Sequence, residues 1–205
     1  GYSTIETWNK ATKKLILVYA HGGITKDPGA VNESVKPIVN ERDWIKSWYD
    51  EYLIPEFKSR KLEIATVQQT EWWKIDTQVD AIYEAGDIAI ACHLNAGEAD
   101  KATGVETLYC KGSANGEKLA KLFNDTVVKV LGDKDRGIKP IQWDRNKPRV
   151  HDDRGGRLVC GTKPPCILIE LFFLSNDKDL ADANTKRKEL AKAFVDTYVA
   201  FRNKK

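Results

Sequence analysis

The feature that most constrains the fold is a nine-residue apolar run near the C-terminus, interrupted by one carboxylate. Residues 166–174 read CILIELFFL, with Glu170 at the centre. A near-continuous apolar run is typical of a parallel strand that helices cover on both faces. A glutamate is almost never fully buried unless something pairs with it. The run therefore predicts a buried strand in which Glu170 is a structural ion-pair residue, an edge-strand residue or part of a site.

Shorter apolar and amphipathic segments alternate along the rest of the chain. Strands are predicted at 14–20, 62–67, 87–92 and 105–110, the last as an edge or half-exposed strand. Helices are predicted to begin at Glu41, with Asn40 as N-cap, and to span 75–85, 114–131 and about 179–202. Pro55 is expected to kink or end the first helix. The alternation predicts an α/β fold with a mostly parallel, twisted central sheet and helices on both faces.

One domain is expected to cover residues 1–205, because a chain of this length buries a substantial core. Residues from about 132 to 165 form a polar insertion that is too long for an ordinary connection. We interpret the insertion as a functional loop or a small subdomain. The pair Trp72 and Trp73 is predicted to lie in the core rather than to form a sugar-stacking platform.

Charge and hydropathy argue against several classes of partner. The net charge of +3 suits a mildly anionic target such as a bacterial wall, but it does not predict a nucleic-acid footprint. No apolar run approaches the roughly 20 residues that span a bilayer, so no membrane insertion is expected. The four cysteines do not have zinc-ribbon spacing, and we predict reduced thiols in a cytosolic protein, although Cys160 and Cys166 are close enough in sequence to bridge.

Two histidines follow predicted strands directly. His21 comes after the first strand and His93 after a central one, and open α/β sheets place their sites at these carboxyl ends. Glu41 lies in the first turn of its helix and shares the face of Ile45 and Trp48, so its side chain points toward the sheet. Two imidazoles and one carboxylate are the usual three protein ligands of a catalytic zinc ion. Glu170 is then a carboxylate beside the metal that moves a proton.

Each of these residues also has an ordinary explanation. A histidine in a turn or in a core, or a glutamate in a first helical turn, is common without a metal. Glu33 competes with Glu41 as the carboxylate ligand, although it lies in a loop with no evident inward direction. His151 is interpreted as a surface or substrate-side residue. The shared position of the four residues at one end of the predicted sheet favours a site.

The ordered set of motifs resembles the zinc-dependent N-acetylmuramoyl-L-alanine amidases of bacterial autolysins and phage endolysins, the Amidase_3 type. The resemblance runs over most of the chain in the following order: His21-Gly22-Gly23 with 27–30 (DPGA), Asn40-Glu41-Arg42-Asp43, 89–96 (AIACHLNA), 104–107 (GVET), 136–139 (RGIK) and 167–176 (ILIELFFLSN). No single motif is specific, but their order is. Gln68-Gln69-Thr70 stands where the family usually has Thr-Arg after the second strand.

The resemblance implies an enzyme that hydrolyses the amide between N-acetylmuramic acid and L-alanine of the peptidoglycan stem peptide. It implies one Zn²⁺ held by His21, Glu41 and His93, with Glu170 as the catalytic residue. Asn95 and Arg136 lie within the matching motifs and are predicted to bind substrate. We expect a monomer and a phage endolysin catalytic domain. Such an enzyme resides in the host cytoplasm until lysis and then acts on the wall, whereas an autolysin is secreted.

Two other functions remain open at the level of sequence. The same ligand set serves a zinc peptidase that cuts within the stem peptide, and the same fold serves a non-catalytic wall-binding module. The products of digestion and the metal content of the protein distinguish the three.

Overall fold

The computed structural model describes residues 13–23, 26–147 and 155–203. The strands are β1 (Leu15–Tyr19), β2 (Val31–Asn32), β3 (Val39–Asn40), β4 (Ile64–Gln68), β5 (Ile88–Asn95), β6 (Val105–Cys110), β7 (Asp135–Ile141) and β8 (Cys166–Phe173). The helices are α1 (Glu41–Trp48), α2 (Ile54–Ser59), α3 (Ile75–Ile82), α4 (Ala114–Leu131), α5 (Gly156–Val159), α6 (Asp177–Thr185) and α7 (Arg187–Asn203). A π-helical segment, Tyr49–Leu53, joins α1 to α2.

Six strands form the central sheet in the order β4-β1-β5-β8-β6-β7. Strands β4, β1, β5 and β8 are mutually parallel, whereas β6 runs antiparallel to β8 and is parallel to β7. The two short strands β2 and β3 form a separate antiparallel pair. The prediction of a single α/β domain with a mostly parallel sheet and helices on both faces is confirmed.

The apolar run of β8 is buried because both faces of the sheet are covered. Alternate side chains of a strand point to opposite faces. Ile167, Ile169 and Leu171 belong to a large core that includes α1, α4 and α7. Cys166 and Leu168 belong to a smaller core on the other face, together with residues of α3 and α5. Glu170 is two residues after Leu168, so its side chain points to the same face of the sheet, that of the smaller core. It lies near the carboxyl end of the strand.

The first long helix begins as the sequence predicts and then continues further than expected. Asn40 is the N-cap, and its side chain accepts a hydrogen bond from the Asp43 amide. Pro55 lies in the first turn of α2, directly after the π-helical segment, and the helix runs on to Ser59. A π segment changes the local hydrogen-bond register, and proline is tolerated in a first turn because its missing N–H is not needed there. Of the two outcomes expected at Pro55, an end of the helix is therefore not what occurs, and a kink stays a prediction.

Three other features of the secondary structure differ from the sequence prediction. Strand β6 is interior rather than at an edge, because β7, which lies inside the predicted polar insertion, pairs with its outer side. The insertion also contains the short helix α5. The final helix is two helices that meet at Lys186.

The cysteine prediction is wrong for two of the four residues. Cys110, at the end of β6, forms a disulfide with Cys160, which follows α5. Cys92 and Cys166 are free and buried, and their burial raises the pKa of each thiol to about 12. The sequence separation of 50 residues between Cys110 and Cys160 gave no local signal for this pairing.

None of the helices within the described ranges is both long and apolar enough to cross a bilayer.

Candidate metal centre

Three side chains from distant parts of the chain meet at the carboxyl end of the sheet. They are His21, which follows β1, Glu41, the first residue of α1, and His93, in β5. Glu41 Oε2 lies 3.0 Å from His21 Nε2 and 3.1 Å from His93 Nδ1. The two imidazole rings are 5.1 Å apart between centroids and nearly perpendicular. One carboxylate oxygen and two ring nitrogens thus face a common point.

The Glu41 carboxylate is fixed by the backbone around it. Its Oε1 accepts a hydrogen bond from the Ala30 amide at 2.9 Å, and its Oε2 accepts one from the Leu94 amide at 2.9 Å. Gly29 has a φ of +68°, and a Cβ added there would lie 2.5 Å from Glu41 Oε1. A side chain at this position would therefore displace the carboxylate. Glu41 is 3% exposed, which leaves its side chain little room for another rotamer.

Asp27 orients the His21 ring. Its Oδ2 lies 2.8 Å from His21 Nδ1, while its Oδ1 accepts a hydrogen bond from the Gly29 amide at 3.0 Å. A carboxylate on one ring nitrogen fixes the tautomer that leaves the other nitrogen as a ligand atom, a common arrangement around metal-binding histidines. In the sequence analysis Asp27 appears only as the first residue of the 27–30 motif, with no role of its own. A carboxylate six residues after a candidate ligand was the available signal.

Charge is concentrated at this point. Burial alone lowers the pKa of His21, but the neighbouring Glu41 and Asp27 carboxylates outweigh it and raise the pKa to about 9. Burial alone raises the pKa of Glu41, yet the interactions with His21 and His93 hold that pKa well below its usual range. Without a metal, the cluster therefore binds a proton at neutral pH where a cation would fit.

The arrangement fits a metal ion. The three donor atoms all lie within 4.8 Å of one another. Ligand atoms on a tetrahedral ion with bonds of about 2.0–2.1 Å are about 3.3 Å apart, close to the two distances that involve Glu41. Nε2 of His21 is buried and, within the described part of the chain, makes no hydrogen bond of acceptable geometry despite its approach to Glu41. Glu33 is exposed and lies outside this group.

Glu170 lies beside the cluster. It is aligned with His93 in the parallel pairing of β5 and β8, so both side chains project from the same face of the sheet. Glu170 is half-buried. A half-buried carboxylate in this position is next to the His21, Glu41 and His93 cluster and is also open to a bound molecule.

Asn95 and Arg136 lie at the same rim, around a residue that the sequence analysis did not single out. Glu106 is buried and is aligned with Glu170 across the antiparallel pairing of β6 and β8. Its Oε1 accepts a hydrogen bond from Asn95 Nδ2 at 2.6 Å, and its Oε2 lies 3.8 Å from Arg136 Nε. The Arg136 guanidinium also lies 4.9 Å from the centre of the Phe173 ring. A charged residue inside an otherwise apolar strand was the signal for Glu106.

Two other sequence predictions are resolved differently. Trp72 and Trp73 are 44% and 48% exposed, so the prediction that they lie in the core is wrong. They occupy the turn between β4 and α3, at the site's rim. His151 lies outside the described residues.

Comparison with known proteins identifies the family. The Amidase_3 family model, described as N-acetylmuramoyl-L-alanine amidase, matches residues 15–197. The search of curated proteins gives no match.

Solved structures show the same fold. The chain is similar to an N-acetylmuramoyl-L-alanine amidase from Clostridium difficile 630, with a TM-score of 0.73 and 21% identity over 95% of this chain and 99% of that one. It is also similar to the catalytic domain of the CD27L endolysin targeting Clostridia Difficile, with a TM-score of 0.70 and 24% identity over 92% of this chain and 97% of that one. A third similar structure is the catalytic domain of CwlV, an N-acetylmuramoyl-L-alanine amidase from Bacillus (Paenibacillus) polymyxa var. colistinus. It has a TM-score of 0.73 and 20% identity over 95% of this chain and 100% of that one.

Proposed function

The chain belongs to the N-acetylmuramoyl-L-alanine amidase family, and we propose that it cleaves its substrate at a zinc ion held by His21, Glu41 and His93. It is an enzyme that hydrolyses the amide between N-acetylmuramic acid and the L-alanine of the stem peptide in peptidoglycan. The observation that carries the zinc proposal is the convergence of His21 Nε2, His93 Nδ1 and Glu41 Oε2.

The donor set suits zinc, which binds imidazole nitrogen and carboxylate oxygen and often keeps three protein ligands in catalytic sites. A zinc ion in such a site supplies a Lewis acid that polarises a carbonyl and lowers the pKa of bound water to about 7. Asp27 supports this assignment because a carboxylate beside Nδ1 of His21 favours the neutral tautomer in which Nε2 is the atom that binds a metal.

Glu170 is the proposed catalytic residue. Its alignment with His93 supports this role, because the carboxylate then lies next to the ligands on the same face of the sheet. The carboxylate accepts a proton from the attacking water as the new C–O bond forms. The same proton then passes to the amide nitrogen as the C–N bond breaks, so the stem peptide leaves with a neutral amine and Glu170 returns to its ionised form.

Asn95 and Arg136 are proposed to position the substrate. Glu106 holds the Asn95 amide through the hydrogen bond at its Oε1 and lies near the Arg136 side chain. The Arg136 guanidinium has five N–H donors, and its stacking on Phe173 restrains it at the rim. Asn95 and Arg136 thus offer donors to the carbonyl oxygens of a bound stem peptide.

The test combines metal content with turnover. Purified wild-type protein is expected to contain one zinc ion per chain and to release intact stem peptides from cell walls, as mass spectrometry of the products will show. Glu170→Gln should retain the zinc but lose at least about 100-fold in kcat, because positioned acid–base groups contribute about 10²–10⁴-fold. Hydrolysis by Glu170→Gln at the wild-type rate would contradict the role of Glu170. Cleavage between amino acids of the stem peptide would instead indicate a peptidase.

The disulfide provides information on the compartment in which the enzyme resides. Disulfides persist in oxidising surroundings and are rare in the cytosol. The Cys110–Cys160 bond therefore supports the secreted alternative over residence in the host cytoplasm before lysis. Non-reducing electrophoresis of the protein taken directly from cells will test this. A fully reduced protein there would favour the cytoplasmic route of an endolysin.

A further inference from the structure

Two adjacent tryptophans form an apolar surface beside the site. Trp72 and Trp73 are about half exposed, and their rings meet edge to face with centroids 5.6 Å apart and an interplanar angle of 87°. Large aromatic side chains that form a contiguous exposed patch often belong to a binding site. The two rings present indole surface in two orientations on one short turn.

An ion cluster around the buried Asp76 carboxylate holds this surface in place. Asp76, 3% exposed, has its Oδ2 3.0 Å from Nη1 of both Arg145 and Arg157. The Arg157 guanidinium lies 5.9 Å from the centre of the Trp72 ring and 5.2 Å from that of Trp143. A carboxylate buried to this degree requires a paired cation, and this holds Arg157, whose side chain is 16% exposed, whereas the Arg145 side chain is 59% exposed. The cluster joins the 72–76 turn to the insertion and restrains Trp72.

The surface lies at the same rim as the metal centre. Gln68 Nε2 donates a hydrogen bond to the His21 carbonyl at 3.0 Å. A Cβ added to Gly23 would lie 2.5 Å from the carbonyl oxygen of Gln69, so the turn after His21 packs against the turn that leads to Trp72. The insertion lies over the face from which Glu170 projects, since a Cβ on Gly155 would be 2.7 Å from the side chain of Leu168.

We propose that Trp72 and Trp73 bind the glycan strand of peptidoglycan, on sugar units next to the muramic acid that carries the cleaved peptide. The inference rests on the proposed function of the site. The C–H faces of pyranose rings are apolar and pack on indole, while sugar hydroxyl and acetamido oxygens accept hydrogen bonds from exposed guanidinium groups.

The chemistry of the surface favours a sugar over the acidic part of a stem peptide. The Arg157 guanidinium next to Trp72 is paired with the Asp76 carboxylate and its side chain is only 16% exposed, whereas Trp72 and Trp73 are 44% and 48% exposed. The contact between the His21 turn and the turn that leads to Trp72 places these rings beside the site, where a glycan strand bound in the site can reach them.

The experiment measures binding without hydrolysis. Glu170→Gln protein is titrated with peptide-free glycan strands and, separately, with free stem peptide. Replacing both Trp72 and Trp73 by Ala in this background should weaken glycan binding at least about tenfold and leave stem-peptide binding unchanged. Replacement of both by Phe keeps two flat apolar rings and should restore glycan affinity to within about threefold. Trp73→Ala alone leaves the Trp72 ring on Arg157 in place, so it is the control for misfolding, and it should weaken glycan binding at least about threefold.

A second measurement uses the active enzyme. With the double Ala variant, KM for insoluble walls should rise about tenfold with little change in kcat, while hydrolysis of a single muramyl-peptide unit should stay within about twofold of wild type. Unchanged glycan affinity in every variant, or a loss confined to the stem peptide, would overturn the proposal. So would a concentration-dependent dimer that the Ala substitutions abolish. Failure of the proposed function is seen separately, as wild-type protein that lacks zinc or does not hydrolyse the single unit.

Discussion

The disulfide between Cys110 and Cys160 should contribute a large part of the stability of the domain. It closes a loop of 50 residues. Loop-closure entropy for that length corresponds to about 4 kcal/mol at 25 °C, near the upper end of the 2–4 kcal/mol that disulfides commonly contribute. For a chain of about 200 residues, 1 kcal/mol shifts Tm by about 2–4 °C. Replacing both cysteines by serine should therefore lower Tm by about 8–16 °C.

The assay is thermal unfolding followed by circular dichroism at a fixed zinc concentration, with and without a reducing agent. Reduction should shift the Tm of the wild-type protein to that of the double variant and leave the double variant unchanged. Thiol counting in denaturant without reductant provides a direct check, and only Cys92 and Cys166 should react. Four reactive thiols, or a wild-type Tm that does not respond to reduction, would refute the reasoning.

Three further predictions concern single side chains. Glu41→Gln should lower zinc affinity at least about tenfold by equilibrium dialysis, whereas Glu33→Gln, which changes an exposed carboxylate outside the cluster, should bind zinc as the wild type does. Burial first, and then the charges of neighbouring aspartates, raise the pKa of Asp133 to about 6, so its charged form destabilises the fold. Asp133→Asn should therefore raise the free energy of unfolding by about 1 kcal/mol above pH 6, and the gain should vanish as pH falls toward about 4 in urea titrations. Trp48→Ala should lower that free energy by about 3–5 kcal/mol, because the ring is fully buried and its Nε1 donates to the Arg187 carbonyl; a loss below 1 kcal/mol would contradict this.

Local signals in the sequence were sufficient for the strands and for the positions of the candidate ligands. The apolar run around Glu170 and the strands before His21 and His93 were evident from hydropathy alone, and parallel pairing then brings their carboxyl ends to one rim. The choice of Glu41 over Glu33 followed from the inward face of a helix that begins at a strong N-cap. Each of these predictions depends on residues that are close together in the sequence.

The rest depends on strand order, which local patterns do not reveal. Glu106 is next to the site only because β6 runs against β8, so that the start of one strand meets the end of the other. The same reversal takes Cys110 to the opposite rim, near the start of β8, where Cys160 can reach it. The exposure of Trp72 and Trp73 likewise depends on which segments pack on the β4 side of the sheet. Hydropathy alone assigns a tryptophan pair to the core.

The reversal of β6 and β7 also explains how the described parts of the insertion act as a fixed structure. Strand β7 ends at Ile141, which is aligned with Cys110, and β8 begins at Cys166, so the part of the insertion that follows β7 starts and finishes at the rim opposite the candidate metal centre. To reach Asp76, at the start of α3, the chain must cross the face from which Glu170 projects. It is held at its base by the disulfide and at its far side by the two arginines on Asp76. A segment that is fixed at both places can form one wall of a substrate groove, because binding need not first order it. Reducing the disulfide should therefore weaken the binding of long glycan strands more than it slows the hydrolysis of a single muramyl-peptide unit, since only the long strand contacts this wall.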